Sequence, residues 1–393
     1  MSIFTKSLDA IDEQDLQELV EQKFAEWKTV EYKEALSVGG DGERKKFLSQ
    51  VSSFANASGG HLIYGVRAVD GVPAEVTGME VDNPDGMVLR LEDLIRTGIR
   101  PRIPGVLVRA VGVKAGGTAI VIRVPRSWAM PHQVVYNAEF RFYSRASNGK
   151  YILDVDELRS LYAVSATTAE RVRNFRAERL SHVIAGETPV PLPEGAKTVL
   201  HLVPLNAFDP AVKFDLNPLR REAGLLEPLW STGWNAPAYN FDGIYVSSER
   251  DKVYHSYVQV FRGGIIEAAN ASLLEPEKDG RKLIAGVAYE DVLLKGLRRY
   301  LDLQRRLGVE PPVVVMLSLL GVKGYSMLVS PGRRFNEGHQ IDRDALLMPE
   351  ALVEDLETRA DAVLRPVFDA LWNAAGWPGS INFDDENNWN PPK

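Results

Sequence analysis

Cysteine is absent from the 393 residues, which excludes disulfides, thiolate metal sites and cysteine nucleophiles together. Long apolar runs are missing too: no stretch approaches the roughly eighteen uninterrupted apolar residues of a spanning helix. The first residues, MSIFTKSLDAIDEQDLQ, lack the basic start and apolar core of a leader, so a cytoplasmic chain without a membrane partner is expected. Histidine is scarce, and the six present are scattered without ligand spacing, so a histidine-held metal is not expected. SVGGDGERKK lacks the Gly-x4-Gly-Lys-Ser/Thr order of a phosphate loop. ATP binding is left as a distant alternative.

What is present is ordinary in bulk, with 45% hydrophobic and 25% charged residues, the composition of a globular protein. The length allows two or three domains. GETPVPLPEGAK, residues 186–197, is a proline-rich linker. The expected organisation is an N-terminal domain over 1–165, a basic connector helix and linker over 166–197, a second domain over 198–380 and a polar tail over 381–393 that frays.

Periodicity predicts helices over 13–27, 44–55, 85–99 and 154–162, with the connector helix over 166–185. Strands are predicted over 29–36, 61–66, 106–124 (hinged at 114–117) and 140–144. This is an α+β arrangement, a mixed or antiparallel sheet with flanking helices. In the second, also α+β, domain, strands are predicted over 198–204, 241–247, 253–268 and 312–320, and helices over 289–307 and 349–375. Trp230, Trp234 and Tyr239 are expected to plug the core, with a binding surface as the alternative.

The net charge of −7 opposes binding to nucleic acid on average, but the distribution does not: ten basic residues against one acid, Glu139, lie between Arg96 and Lys150. Arg100, Arg102, Arg141, Arg145 and Lys150 are candidate phosphate contacts if the strands turn them to one face, the alternative being a solvated sheet surface. Upstream, Val30 and Tyr32 alternate with Glu31 and Lys33, so a strand there puts the carboxylate and the ammonium on one face.

Taken in order, a helix leading to Glu26, the run Val30-Glu31-Tyr32-Lys33, Phe-Ala-Asn-x-x-Gly-Gly with a strand ending in Gly65-Val66, Arg-Pro-Arg at 100–102, and Phe142-Tyr143-Ser144-Arg145-Ala146-Ser147 resemble an AlbA-like domain of the Schlafen type over about 10–162. The resemblance does not extend to the second half, whose family and role are left open. The resemblance implies that Glu26 and Glu31, with a downstream aspartate, hold a divalent metal, Mg²⁺ or Mn²⁺, whose hard oxygen ligands suit phosphodiester chemistry. Five residues along one helix would point two side chains about 140° apart, so convergence requires the helix to stop between them. Family members place the third acid directly after Gly-Val, where this chain has Arg67. Asp70 is the shifted candidate, or else the first residue of a turn.

Lys33 is the candidate stabiliser of developing charge, making Glu26, Glu31, Asp70 and Lys33 the candidate catalytic set. Arg145 matches the family's arginine after the aromatic strand. What the resemblance implies is a metal-dependent endoribonuclease acting on structured RNA such as tRNA, RNA being favoured over DNA, working as a homodimer in bacterial defence or stress response. A non-catalytic DNA- or RNA-binding regulatory module, with a sensor or partner-binding second domain, is the alternative that the displaced aspartate favours.

Overall fold

The computed structural model describes residue 6, then 8–114, 116–137, 140–146, 149–209, 212–328, 339–384 and 386–391. Glu139 and Ser147 lie outside the described residues. The chain divides into two units, Met1–Thr168 and Ala169–Lys393. Among the described residues no helix is long and apolar enough to cross a membrane. Both units combine helices with antiparallel or mixed sheets, an α+β fold.

In the first unit, helix α1 (Glu13–Glu21) starts at Asp12, whose carboxylate accepts from the Gln14 and Asp15 N–H groups while Asp15 accepts from the Asp12 N–H. This reciprocal cap satisfies N–H groups that have no partner within the helix. The helix ends six residues before the predicted Trp27. Lys23 adopts φ +49°, its N–H bonds Val20 O and the Phe24 N–H bonds Leu19 O, a left-handed C-terminal cap. The stop takes Phe24 and Trp27 off the apolar stripe, 37% and 55% exposed, and frees Glu26 from the helix.

There follow β1 (Val30–Lys33), α2 (Asp41–Ala55), β2 (Gly60–Tyr64), β3 (Val66–Val69), β4 (Val72–Val76), α3 (Pro84–Gly98), β5 (Ile99–Arg100), β6 (Leu107–Gly112), β7 (Thr118–Val124), β8 (Gln133–Val134), β9 (Arg141–Ala146) and β10 (Gly149–Ile152). One sheet runs β1-β2-β7-β6, with β1 and β2 parallel across α2. Alternation along its strands gives it two buried faces. Val30, Tyr32, Ile63 and Val121 pack with Leu16 and Leu19 of α1, whereas Leu62, Tyr64, Ile120 and Ile122 pack with Phe47, Val51 and Phe54 of α2 and with Leu91 and Ile95 of α3. A second sheet runs β10-β9-β8-β5.

Helix α4 (Val155–Ala185) is continuous, where two helices are predicted. The stretch between them holds neither glycine nor proline, so nothing breaks its hydrogen-bond ladder. The division between the units falls inside it.

The second unit comprises β11 (Lys197–Pro204), β12 (Ala238–Tyr239), β13 (Gly243–Arg250), β14 (Val253–Phe261), β15 (Ile266–Asn270), β16 (Leu283–Ala285), α5 (Gly286–Arg306), β17 (Val313–Leu320), β18 (Ser326–Leu328), β19 (Ala345–Leu347), β20 (Ala351–Val353) and α6 (Ala360–Ala374). Its main sheet runs β12-β13-β14-β15-β11-β17-β19, with β20 also on β17. One face buries a core with α5 and α6. The other carries Val172, Phe175, Leu180 and Val183 of α4.

Three expectations change here. The helix predicted over 349–375 is a strand and a shorter helix, because Ala351–Val353 pairs with Val313–Val315, and tertiary pairing overrides the local pattern. Trp230, Trp234 and Tyr239 are exposed, at 57%, 42% and 42%. The tail is docked: Asn382 is buried, Ile381, Phe383 and Trp389 pack on the core, and the buried Glu290 carboxylate accepts from Trp372 Nε1, Ser380 Oγ, Asn382 Nδ2 and Trp389 Nε1. A buried carboxylate needs such donors, and the tail supplies two of the four, with Ser380 just ahead of it a third.

Candidate nucleic-acid interface

The turn into β2 fixes the position of β1. Gly59 and Gly60 have φ +68° and +148°, and a Cβ on Gly60 would collide with the Thr29 carbonyl oxygen, so only glycine lets the chain pass there. The Asn56 side chain adds a polar staple: Nδ2 donates to the carbonyls of His132 and Tyr143, and Oδ1 accepts from the His132 N–H. It therefore ties the end of α2 to the second sheet.

Strand alternation sends Val30 and Tyr32 toward α1 and leaves Glu31 and Lys33 on the side of α2. The Glu31 carboxylate accepts from Gln50 Nε2 and Lys33 Nζ at Oε1, and from Arg145 Nη1 at Oε2, all at 2.9 Å. Arg145 is a buried strand residue whose guanidinium lies 3.7 Å from the centre of the Phe54 ring. Burial opposes the Glu31 charge, yet Lys33 and Arg145 prevail and hold its pKa below the ordinary value.

Lys150, across from Arg145 on β10, reaches the Ser49 hydroxyl and stands 5.6 Å from the centre of the Tyr143 ring. Its pKa is lowered, first by burial and then by Lys46, Lys33 and Arg145, with Glu31 the opposing charge. Two cations thus pair with one carboxylate, and Lys150 stands beside them with Lys46 as its neighbour. Such a cluster favours an incoming polyanion.

Glu26 lies elsewhere, in the loop that precedes β1. Its Oε1 caps the Tyr32 N–H at 2.8 Å, and its own N–H donates to Gly71 O at 2.6 Å. Asp70 and Gly71, at φ +53° and +75°, form the two-residue turn joining β3 to β4, a role that Asp-Gly suits. Arg67, in the place of the family's acid, pairs with Glu75 on the same hairpin. The structure therefore brings Glu26 to the Asp70-Gly71 turn, and Glu31 to Lys33, Arg145 and Lys150. Among the described residues no group of three or more His, Asp or Glu side chains is placed to hold a metal ion, and both Glu31 oxygens are already committed to donors. The residues as placed do not fit a divalent cation.

Arg100, Arg102 and Arg141 are exposed. Sequence reasoning missed Lys46, Ser49, Gln50 and Phe54. Their signal is the spacing 46, 50, 54, which aligns side chains on one helix face.

An α+β domain with a cation cluster where a sheet edge meets a helix is the class defined by this geometry. Residues 26–154 match the family described as Schlafen, AlbA_2, and this segment is a Schlafen AlbA-like domain. No curated protein matches the chain. Among solved structures, the DIP2311 protein from Corynebacterium diphtheriae is similar at 22% identity over 32% of this chain and 25% of that one, with a TM-score of 0.24. The chain thus spans about a quarter of that relative. The N-terminal domain of a putative ATP-dependent DNA helicase RecG-related protein from Nitrosomonas europaea is similar at 22% identity over 28% of this chain and 72% of that one, with a TM-score of 0.22.

Proposed function

We propose that the N-terminal unit binds nucleic acid by its sugar–phosphate backbone, as a non-catalytic module. The observation that carries this reading is the pairing of Lys33 and Arg145 with the single carboxylate of Glu31, with Lys150 beside them on β10 and its ammonium against Ser49 and the Lys46 carbonyl of α2. Each cation that reaches a phosphate releases a counterion, so affinity falls steeply with salt. The family resemblance supports RNA over DNA as the polymer, and a homodimer would offer it two such clusters. The test is binding of labelled tRNA, duplex DNA and single strands across a salt series, beside Lys33→Ala. Salt-independent binding, or a variant with the wild-type slope, would sink the proposal.

Metal-dependent endoribonuclease action is the second reading, favoured by the meeting of Glu26, just ahead of the strand that carries Glu31, with the Asp70-Gly71 turn. The ion pairs of Glu31 oppose it. Incubation of tRNA with the protein in Mn²⁺ or EDTA, beside Glu31→Ala, decides: metal-dependent cutting lost in the variant establishes the nuclease, and binding without cutting leaves the module.

A further inference from the structure

On the second sheet, Arg100 of β5 pairs with Gln133 of β8, and Gln133 pairs with Phe142 of β9. The three form one cross-strand row, with their side chains on one face of the sheet. That face lines a groove of about 340 Å³ together with Met130 and with Tyr162 of α4. Tyr162 is 55% exposed. Arg100 is the sole charged residue among those lining the groove. Its Nη1 donates to the carbonyls of Arg96 and Ile99, which leaves Nε and Nη2 without a protein partner among the described residues. The Gln133 amide and the Tyr162 hydroxyl likewise make no hydrogen bond among the described residues.

We infer that this groove receives one unpaired nucleobase of a single-stranded segment, an inference that rests on the nucleic-acid reading above. The volume is at the small end of ligand sites, roughly 300–1,000 Å³, enough for one planar ring system. Phe142 and Tyr162 supply aromatic surface for stacking, which a base inside a duplex cannot use because its faces are already covered. The Gln133 amide offers a donor and an acceptor to a base edge, and the free side of the Arg100 fork suits the neighbouring phosphate. Lys150 and Arg145 lie in register on β10 and β9, with Arg145 an odd number of residues from Phe142, so the cation cluster and the groove use opposite faces of this sheet. A strand passing the sheet edge would meet backbone contacts on one face and a base contact on the other.

The test uses the full chain and three probes of equal length: a single strand, the blunt duplex of the same sequence, and a strand with its bases removed. Wild-type protein is expected to hold the base-bearing strand more tightly than the abasic one. Tyr162→Ala, at an exposed helix position, lowers affinity for the single strand about tenfold, the cost of one lost stack, and leaves duplex affinity and the salt slope unchanged. Phe142→Leu, which keeps apolar volume, does the same. Equal affinity for abasic and base-bearing strands, or variants that bind the single strand like wild type, would overturn the base site while leaving backbone binding standing. Failure of the wild type to bind any of the three probes overturns both.

Discussion

Arg145 Nη1 lies 2.9 Å from Glu31 Oε2, joining β9 to β1 through one buried ion pair, with the guanidinium stacked on Phe54. Their side chains are 4% and 15% exposed, so screening by solvent is weak. Removing one partner strands the other charge. Glu31→Gln is therefore expected to destabilise the first unit by about 3 kcal/mol while keeping or raising affinity for nucleic acid, because an opposing charge is gone. Urea unfolding and a binding titration check both; an unchanged midpoint would show that the pair contributes nothing.

Lys150 gives a pH signature. Burial and neighbouring cations depress its pKa, so it loses its charge at lower pH than an ordinary lysine, near 10.4. Affinity for the backbone should then fall as pH rises, starting below that value. Lys150→Arg should abolish the fall, since arginine stays charged. Parallel alkaline curves for the two proteins would remove Lys150 from the interface.

Lys33→Ala and Lys150→Ala should each lower the slope of log affinity against log salt by about 0.9 if each meets one phosphate of a duplex. The measurement is the slope, not a single dissociation constant. A slope equal to wild type in both would place the contacts elsewhere.

The second unit has its own acid sensitivity. Glu267 is fully buried and takes Arg179 at both oxygens, His201 Nε2 and the Tyr257 hydroxyl. Burial pushes its pKa up, but His201 and Arg179 outweigh that and bring it to about 2. A depressed folded pKa means stability that is present above the ordinary glutamate value near 4.3 and lost as pH falls toward 2. Glu267→Gln should be less stable at neutral pH and change less over that acid window. Equal acid slopes in the two proteins would contradict the assignment.

Glu290 anchors the tail through Asn382 and Trp389 and also accepts from the Trp372 indole of α6. In Glu290→Ala both indole N–H groups lose their acceptor, at a cost of about 1–3 kcal/mol for each buried group left unsatisfied. Tail cleavage by protease should accelerate and tryptophan emission shift red. A tail equally protected in the variant would show that Phe383 and Trp389 hold it by packing alone.

The strands and helices of the first unit were largely legible, because alternation and helical spacing are local properties. Glu31 and Lys33 share one face of β1 as their alternation with Val30 and Tyr32 requires, and Asp-Gly carries its own turn signal. The end of α1 is not legible in the sequence, because Lys23 takes a left-handed backbone that its side chain does not announce. In the second unit, the stretch predicted as one helix over 349–375 became partly strand once β17 offered it an edge.

By itself the sequence determined which side chains share an element face, where glycine had to let backbones pass, and the excess of cations between Arg96 and Lys150, since all three follow from residue type and short-range geometry. Only the tertiary structure decided that Arg145 is spent on Glu31 and not presented to solvent, that Lys46 and Lys150 meet beside them, and that Arg100, Gln133 and Phe142 align across three strands. Those relations depend on strand register and on helix packing against the sheet, which join residues up to 114 positions apart and leave no trace in local pattern.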